Sequence, residues 1–182
     1  MNNKIQLIGK TVILDEVQPK YFEPIIGWRN NSENNKFLNQ PYKLTLELQQ
    51  EWYKKYLEDY TQGLFVLIDK RDKVPFGTMG WTDFDKDQQI CITGRLLIGN
   101  MKYRGSLYFQ EAAKLFNDYL YKANNIKIMY AHVMKENIAS IKWHEKWGYN
   151  INKKFKFPQE HIVNGVEQIE FYRRFNDYYK TR

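Results

Sequence analysis

Leu64-Phe65-Val66-Leu67-Ile68-Asp69-Lys70-Arg71-Asp72-Lys73-Val74-Pro75-Phe76-Gly77-Thr78-Met79-Gly80-Trp81-Thr82-Asp83-Phe84-Asp85-Lys86-Asp87-Gln88-Gln89-Ile90-Cys91-Ile92-Thr93-Gly94-Arg95-Leu96-Leu97-Ile98 is the stretch that decides the fold. Three apolar runs, 64–69, 75–84 and 90–98, are separated by two short polar segments, Arg71-Asp72-Lys73 and Asp85 to Gln88. Short apolar runs bounded by turn residues read as strands, and connections this short join antiparallel neighbours. The stretch is therefore an antiparallel meander.

Upstream, Lys4 to Val17 alternates around Gly9 and reads as one or two further strands. Pro19 to Trp28 has helical spacing, and 30–35 is polar and turn-rich. Thr45, with Glu47 nearby, opens a second helix carrying Leu48, Trp52, Tyr56 and Leu57. Downstream, a helix from about Arg104 carries Tyr108, Ala112, Leu115, Phe116 and Tyr119 on one face. A strand over 126–133, a helix over 137–147 and a final strand pair around Asn164-Gly165 complete the order. With no repeat or linker, the expectation is one α+β domain over 1–182, with helices flanking a mostly antiparallel sheet.

Composition excludes several classes. The 182 residues are 43% hydrophobic and 16% aromatic, too apolar for disorder. The longest apolar run, Leu64 to Ile68, is far short of the roughly 20 residues that span a bilayer, and 1–4 carry no leader-like segment. One cysteine, Cys91, leaves no internal disulfide framework and fits a reducing compartment, so a cytoplasmic protein is expected. The formal net charge of +7 has two readings, a mixed solvated surface or a basic cleft for a phosphorylated molecule. No helix-turn-helix, zinc or ribonucleoprotein motif points to nucleic acid. The three histidines, His132, His144 and His161, lack ligand spacing, so no metal is expected.

Two segments carry chemistry. Leu96-Leu97-Ile98-Gly99-Asn100-Met101-Lys102-Tyr103-Arg104-Gly105-Ser106 leaves a buried strand and enters a helix through a basic turn. Helix starts present unpaired N–H groups and partial positive charge, so this is either an anion site or an ordinary helix start with solvated charges. Asn137-Ile138-Ala139-Ser140-Ile141-Lys142-Trp143-His144-Glu145-Lys146-Trp147-Gly148-Tyr149 is the more specific. Asn137 reads as its N-cap and Gly148 as its C′ residue. Asn137, Ile141 and His144 share a face, about 10 Å from first to last; Ala139, Trp143 and Trp147 form an apolar stripe expected against the sheet.

These segments resemble the two hallmark motifs of the GNAT N-acetyltransferase superfamily. Arg104 matches the first position of the loop pattern Q/R-x-x-G-x-G/A, whose two glycines are replaced here by Leu107 and Phe109. Asn137, Ser140, Lys146, Gly148 and Tyr149 match N-x-x-A/S-x-x-x-Y-x-K-x-G-F/Y, with His144 at the tyrosine position. The resemblance implies a GNAT fold with a splayed mixed sheet, and acetyl-CoA as co-substrate. It implies a cofactor site at Ile98, Gly99, Lys102, Tyr103, Arg104, Gly105, Ser106, Leu107 and Asn137. His144 would protonate the departing thiolate as an imidazolium, the other reading being a packed histidine. By the same analogy, an amide of the strand around Phe76 to Trp81 polarises the thioester.

For the base, Asp83 is the choice, because alternation puts Trp81, Asp83 and Asp85 on one face; both aspartates also suit turn-flanking roles. The position two residues before Gly94, often a glutamate in the family, is Ile92. Trp28, Arg29 and Trp81 are the substrate-side candidates. Arg29 suits an anionic small-molecule amine such as a nucleotide-linked amino sugar, and Trp28 equally suits core packing. A protein N-terminus is a further acceptor, and self-association as a homodimer is open. The replaced glycines and Ile92 also fit a GNAT-fold module that binds or regulates without catalysis.

Overall fold

The computed structural model describes residues 4–38, 40–157, 162–163 and 165–180. The meander forms as expected: β3 (Gly63–Asp69), β4 (Pro75–Asp85) and β5 (Ile90–Ile98) pair antiparallel in sequence order. Two strands around Gly9, β1 (Gln6–Ile8) and β2 (Val12–Glu16), extend it from β3. On the other side β5 runs parallel to β6 (Ile128–Met134), which pairs antiparallel with β9 (Val166–Arg174). Two short strands, β7 (Asn150–Ile151) and β8 (Ile162–Val163), both pair with β9. The path is β1-β2-β3-β4-β5-β6-β9-β7, a mixed and mostly antiparallel α+β sheet. Of the expected final turn, Asn164 lies outside the described residues, as does His161.

Helices cover both faces. One carries α1 (Phe22–Asn30) and α3 (Leu46–Glu58), whose Phe22, Ile25 and Tyr56 pack on Val17, Leu64, Val66 and Ile68. Thr45 caps α3, its hydroxyl accepting the Leu48 amide at 3.3 Å. The polar 30–35 segment, expected as turn, holds a four-residue helix, α2 (Ser32–Asn35), started by Asn31 accepting the Glu33 amide at 2.9 Å. The other face carries α4 (Leu107–Asp118) and α5 (Ile138–Lys146), packed on Val12, Leu14, Phe65, Leu67, Phe76 and Met129. A π-helical turn, Tyr119–Ala123, extends α4, and α6 (Phe175–Lys180) follows β9. Cys91 is fully buried, and burial pushes its thiol pKa upward, so it acts as a small hydrophobe.

Candidate active site

The centre of the molecule is a gap between two strands. β5 and β6 pair only at Ile90–Ile128, Cys91–Met129 and Ile92–Tyr130. One residue on, the Thr93 hydroxyl donates to the Tyr130 carbonyl at 3.0 Å, and beyond it the strands diverge. On its other edge β5 is bulged: Thr78 faces Leu97 and Gly80 faces Gly94, so Arg95 and Leu96 together oppose Met79. Arg95 takes φ +51. A bulge leaves its extra residue out of the β4 ladder, and on the β6 side β5 has no strand partner beyond Ile92 among the described residues. The analogy placed the polarising amide on the Phe76–Trp81 strand; that strand, β4, contributes one residue to the bulge and β5 the extra one.

The loop from β5 into α4 is anchored at several points. The Gly99 and Asn100 amides both donate to the Phe76 carbonyl, at 2.9 and 3.1 Å. Ile98 is buried. Tyr103 is buried as well, stacked on Phe76 at 4.3 Å between ring centroids, with its hydroxyl donating to Asp69 at 2.9 Å. Lys102 is exposed above the Tyr103 ring, and exposed Arg104 donates to Asn34 of α2 at 3.2 Å. Gly105 turns the chain at φ +66, and Ser106 caps α4 by accepting the Phe109 amide at 3.3 Å. Helix geometry leaves the Leu107 and Tyr108 amides without intrahelical acceptors. The two bulky replacements diverge: Leu107 is 79% exposed, whereas Phe109 turns inward and packs on Trp143 at 5.7 Å.

Helix α5 begins with Asn137 accepting the Ser140 amide at 3.1 Å. It ends in a Schellman motif, with the Tyr149 amide donating to the His144 carbonyl and the Gly148 amide to the Glu145 carbonyl, both at 3.0 Å. Gly148 supplies the required φ, +77. That motif brings together the side chains before and after the turn, and the His144 and Tyr149 rings meet edge-to-face at 5.0 Å. His144 is buried, stacked on Phe171 at 5.3 Å, with Nδ1 on the Ser140 carbonyl at 2.7 Å. Burial drives its pKa down to about 4, outweighing the Ser140 hydrogen bond; the Arg173 charge lowers it further. Burial thus opposes the expected imidazolium acid, and Nδ1, facing the Ser140 carbonyl, is a donor. The expected apolar stripe also breaks, since Ala139 is exposed and Trp143 packs largely on α4.

The substrate-side candidates separate. Trp81 is 9% exposed and sits among Phe65, Phe116 and Tyr119, although it also lines a cleft of about 210 Å³ with Glu16, Tyr56 and Gln62. Trp28 lies flat on Gly99, where a Cβ would fall 2.1 Å from its ring. Gly99 is thus a packing glycine, and Gly99→Ala is expected to cost about 1–3 kcal/mol; an unchanged urea midpoint would show that Trp28 moves aside freely. Asp83 is exposed at φ +53 in a second bulge, where Asp83 and Phe84 oppose Cys91. The bulge breaks the alternation that grouped Trp81, Asp83 and Asp85. Asp85 is a turn cap, accepting the Gln88 amide at 2.8 Å. Arg29 is half-buried, its Nε donating to Gln40 at 2.7 Å.

The family model of the acetyltransferase (GNAT) domain matches residues 11–150. The chain belongs to the GNAT family. This GNAT shares its fold with FdhC, a nucleotide-linked sugar GNAT in its apo form: TM-score 0.77, 20% identity, 97% of this chain and 93% of that one. It is similarly close to the spermidine N-acetyltransferase of Vibrio cholerae with CoA and spermine: TM-score 0.78, 18% identity, 94% and 99% of the chains. A GCN5-related N-acetyltransferase from Brucella melitensis gives TM-score 0.80 at 16% identity, over 97% and 81%. No curated protein sequence is similar to the chain.

One residue of this GNAT that sequence reasoning passed over is Arg95. Its side chain lies on the α1/α3 face, with the guanidinium carbon 5.5 Å from the Trp52 ring centre and Nη1 buried without a hydrogen-bond partner. The available signal was Gly94 inside a strand, since glycine there often marks a bulge.

Proposed function

We propose that this GNAT is an acetyl-CoA-dependent N-acetyltransferase, one domain over 1–182, working in the cytoplasm on a primary amine of a small molecule or a protein N-terminus. The observation that carries the reading is the open start of α4 beside the β5–β6 gap. Leu107 projects into solvent and Phe109 into the core, so neither glycine replacement puts its bulk over the unpaired Leu107 and Tyr108 amides. Those amides, with Gly105, Ser106, Lys102 and Arg104, would hold the pyrophosphate, and Asn137 would meet the pantetheine arm.

The neutral amine attacks the thioester carbon, a C–N bond forms, and the C–S bond breaks with its electron pair leaving on sulfur. Backbone donors at the Arg95–Leu96 bulge suit the developing oxyanion. The amine proton passes to water or to exposed Asp83, and the thiolate takes a proton to leave as CoA. We assign His144 a positioning role: its Nδ1 bond to Ser140 fixes the ring on α5, and its stack on Phe171 holds α5 against β9.

One observation favours a second reading, a GNAT module without turnover: the Phe109–Trp143 contact bridges α4 and α5. A thermal-shift titration separates the two. At 100 times its dissociation constant, acetyl-CoA is expected to stabilise the chain by about 2.7 kcal/mol, with thiol release once an amine is added. No shift at millimolar acetyl-CoA would sink the enzyme reading.

A further inference from the structure

We infer that Arg29 and Arg95 form an anion-binding subsite for the acceptor, and that the amine acetylated here belongs to a phosphate-bearing molecule rather than a polyamine. The inference rests on the transferase reading for what is done to that molecule, but not for the existence of the subsite.

Two guanidinium groups from different elements lie toward the α1/α3 face. Arg29 ends α1, whose Trp28 packs on Gly99 just past β5, and Arg95 leaves the β5 bulge over Trp52 of α3. Burial disfavours the charged form of both, and the Arg29 charge adds to that at Arg95. Neither forms an ion pair with a carboxylate among the described residues. Tyr56 and then Asp59 and Asp83 favour the Arg95 charge without bonding to it, and the titratable group acting favourably on Arg29 is Tyr42. Gln40 takes Arg29 Nε, leaving the outer edge of its fork free of any such anchor.

Withdrawing two cations from water without a counter-charge is unfavourable, and the chain keeps both. Arg173 shows how this same chain satisfies a buried cation. It donates to Trp147, Asn117 and Tyr121, and three tyrosine rings lie against it. Arg95 has instead an orphaned Nη1 and the ring of Trp52 beneath it, which in turn meets the Tyr56 ring in a tilted contact at 5.1 Å. Two forks of planar donors match phosphate oxygens, and the aromatic floor suits a sugar or base attached to them. A polycation entering here would meet two positive charges.

The test is calorimetric titration of the full chain, with uridine diphosphate and spermidine as probes and CoA present to occupy the cofactor loop. Wild type is compared with R29Q, R95Q and R71Q, the last removing a surface arginine already paired with Asp72. Uridine diphosphate is expected to bind wild type and R71Q alike, and to bind R29Q and R95Q about tenfold or more weakly, the loss of one charge-assisted contact. Spermidine is expected to give no binding. R95Q is also expected to melt no lower than wild type, which separates lost binding from lost folding. Absence of uridine diphosphate binding, an equal loss in R71Q, or tighter binding of spermidine would overturn the inference. CoA is titrated separately: arginine-dependent binding of uridine diphosphate without CoA binding keeps the subsite and removes the transferase reading. CoA binding without uridine diphosphate binding does the reverse.

Discussion

Acidification from pH 7 to pH 4 is expected to remove about 3 kcal/mol of stability through His144 alone. The folded-state pKa is near 4, against an ordinary value of 6.5. Between those values the unfolded chain binds a proton at this residue and the folded chain does not. Stability therefore rises with pH across that window and is lost as pH falls through it. A difference of about 2.5 units at about 1.36 kcal/mol per unit sets the size. In H144F, which keeps a ring against Phe171 and Tyr149, that part of the pH dependence should vanish while the fold survives. Urea midpoints at pH 4 and pH 7 for both proteins measure it; identical slopes would mean that His144 stays protonated when folded. The same variant tests the positioning role. Turnover retained in H144F and lost in H144A fits a ring that holds α5, whereas turnover lost in both fits a ring that handles protons.

R173M is expected to lose about 3–5 kcal/mol, a large part of the roughly 5–15 kcal/mol that holds an ordinary domain together. Arg173 is fully buried in β9, yet its contacts reach every element around the lower half of the gap. Nη1 donates to the Trp147 carbonyl at the end of α5 at 2.7 Å, Nη2 to Asn117 of α4, and Nε to Tyr121 in the π-helical turn at 3.2 Å. The guanidinium also lies 4.3 Å from the Tyr149 ring centre and 4.6 Å from that of Tyr178. Methionine fills similar volume but leaves the buried Asn117 Oδ1 and the part-buried Trp147 carbonyl without their donor, which decides the sign. R173K should fall between, because an ammonium donates but cannot span three directions in one plane. A urea midpoint for R173M at or above wild type would show that the desolvated charge costs more than its network contributes.

The turns and caps of the candidate site were readable because their determinants are local. A Schellman turn needs glycine at one position, a helix start needs Asn or Ser, and both sit within a few residues of what they organise. The packing around Trp28 and Arg29 was not, because these residues meet others through the sheet. Nothing near Trp28 in the chain says that its ring will lie on Gly99, and nothing near Arg29 mentions Arg95. Asp83 was grouped with Trp81 by an alternation that holds only while the ladder is regular, and the bulge at Asp83 and Phe84 breaks it.

By itself the sequence determined the element order, the antiparallel meander, the caps of α3, α4 and α5 and the family, since all follow from periodicity and short-range hydrogen bonding. Where Leu107 and Phe109 put their bulk was decided only by the folded chain, where α4 turns one outward and the other onto Trp143. The burial of His144 was decided there too. A histidine in a family position invites a proton-transfer role, but its pKa depends on how much water reaches the ring, and that is a property of the surrounding core.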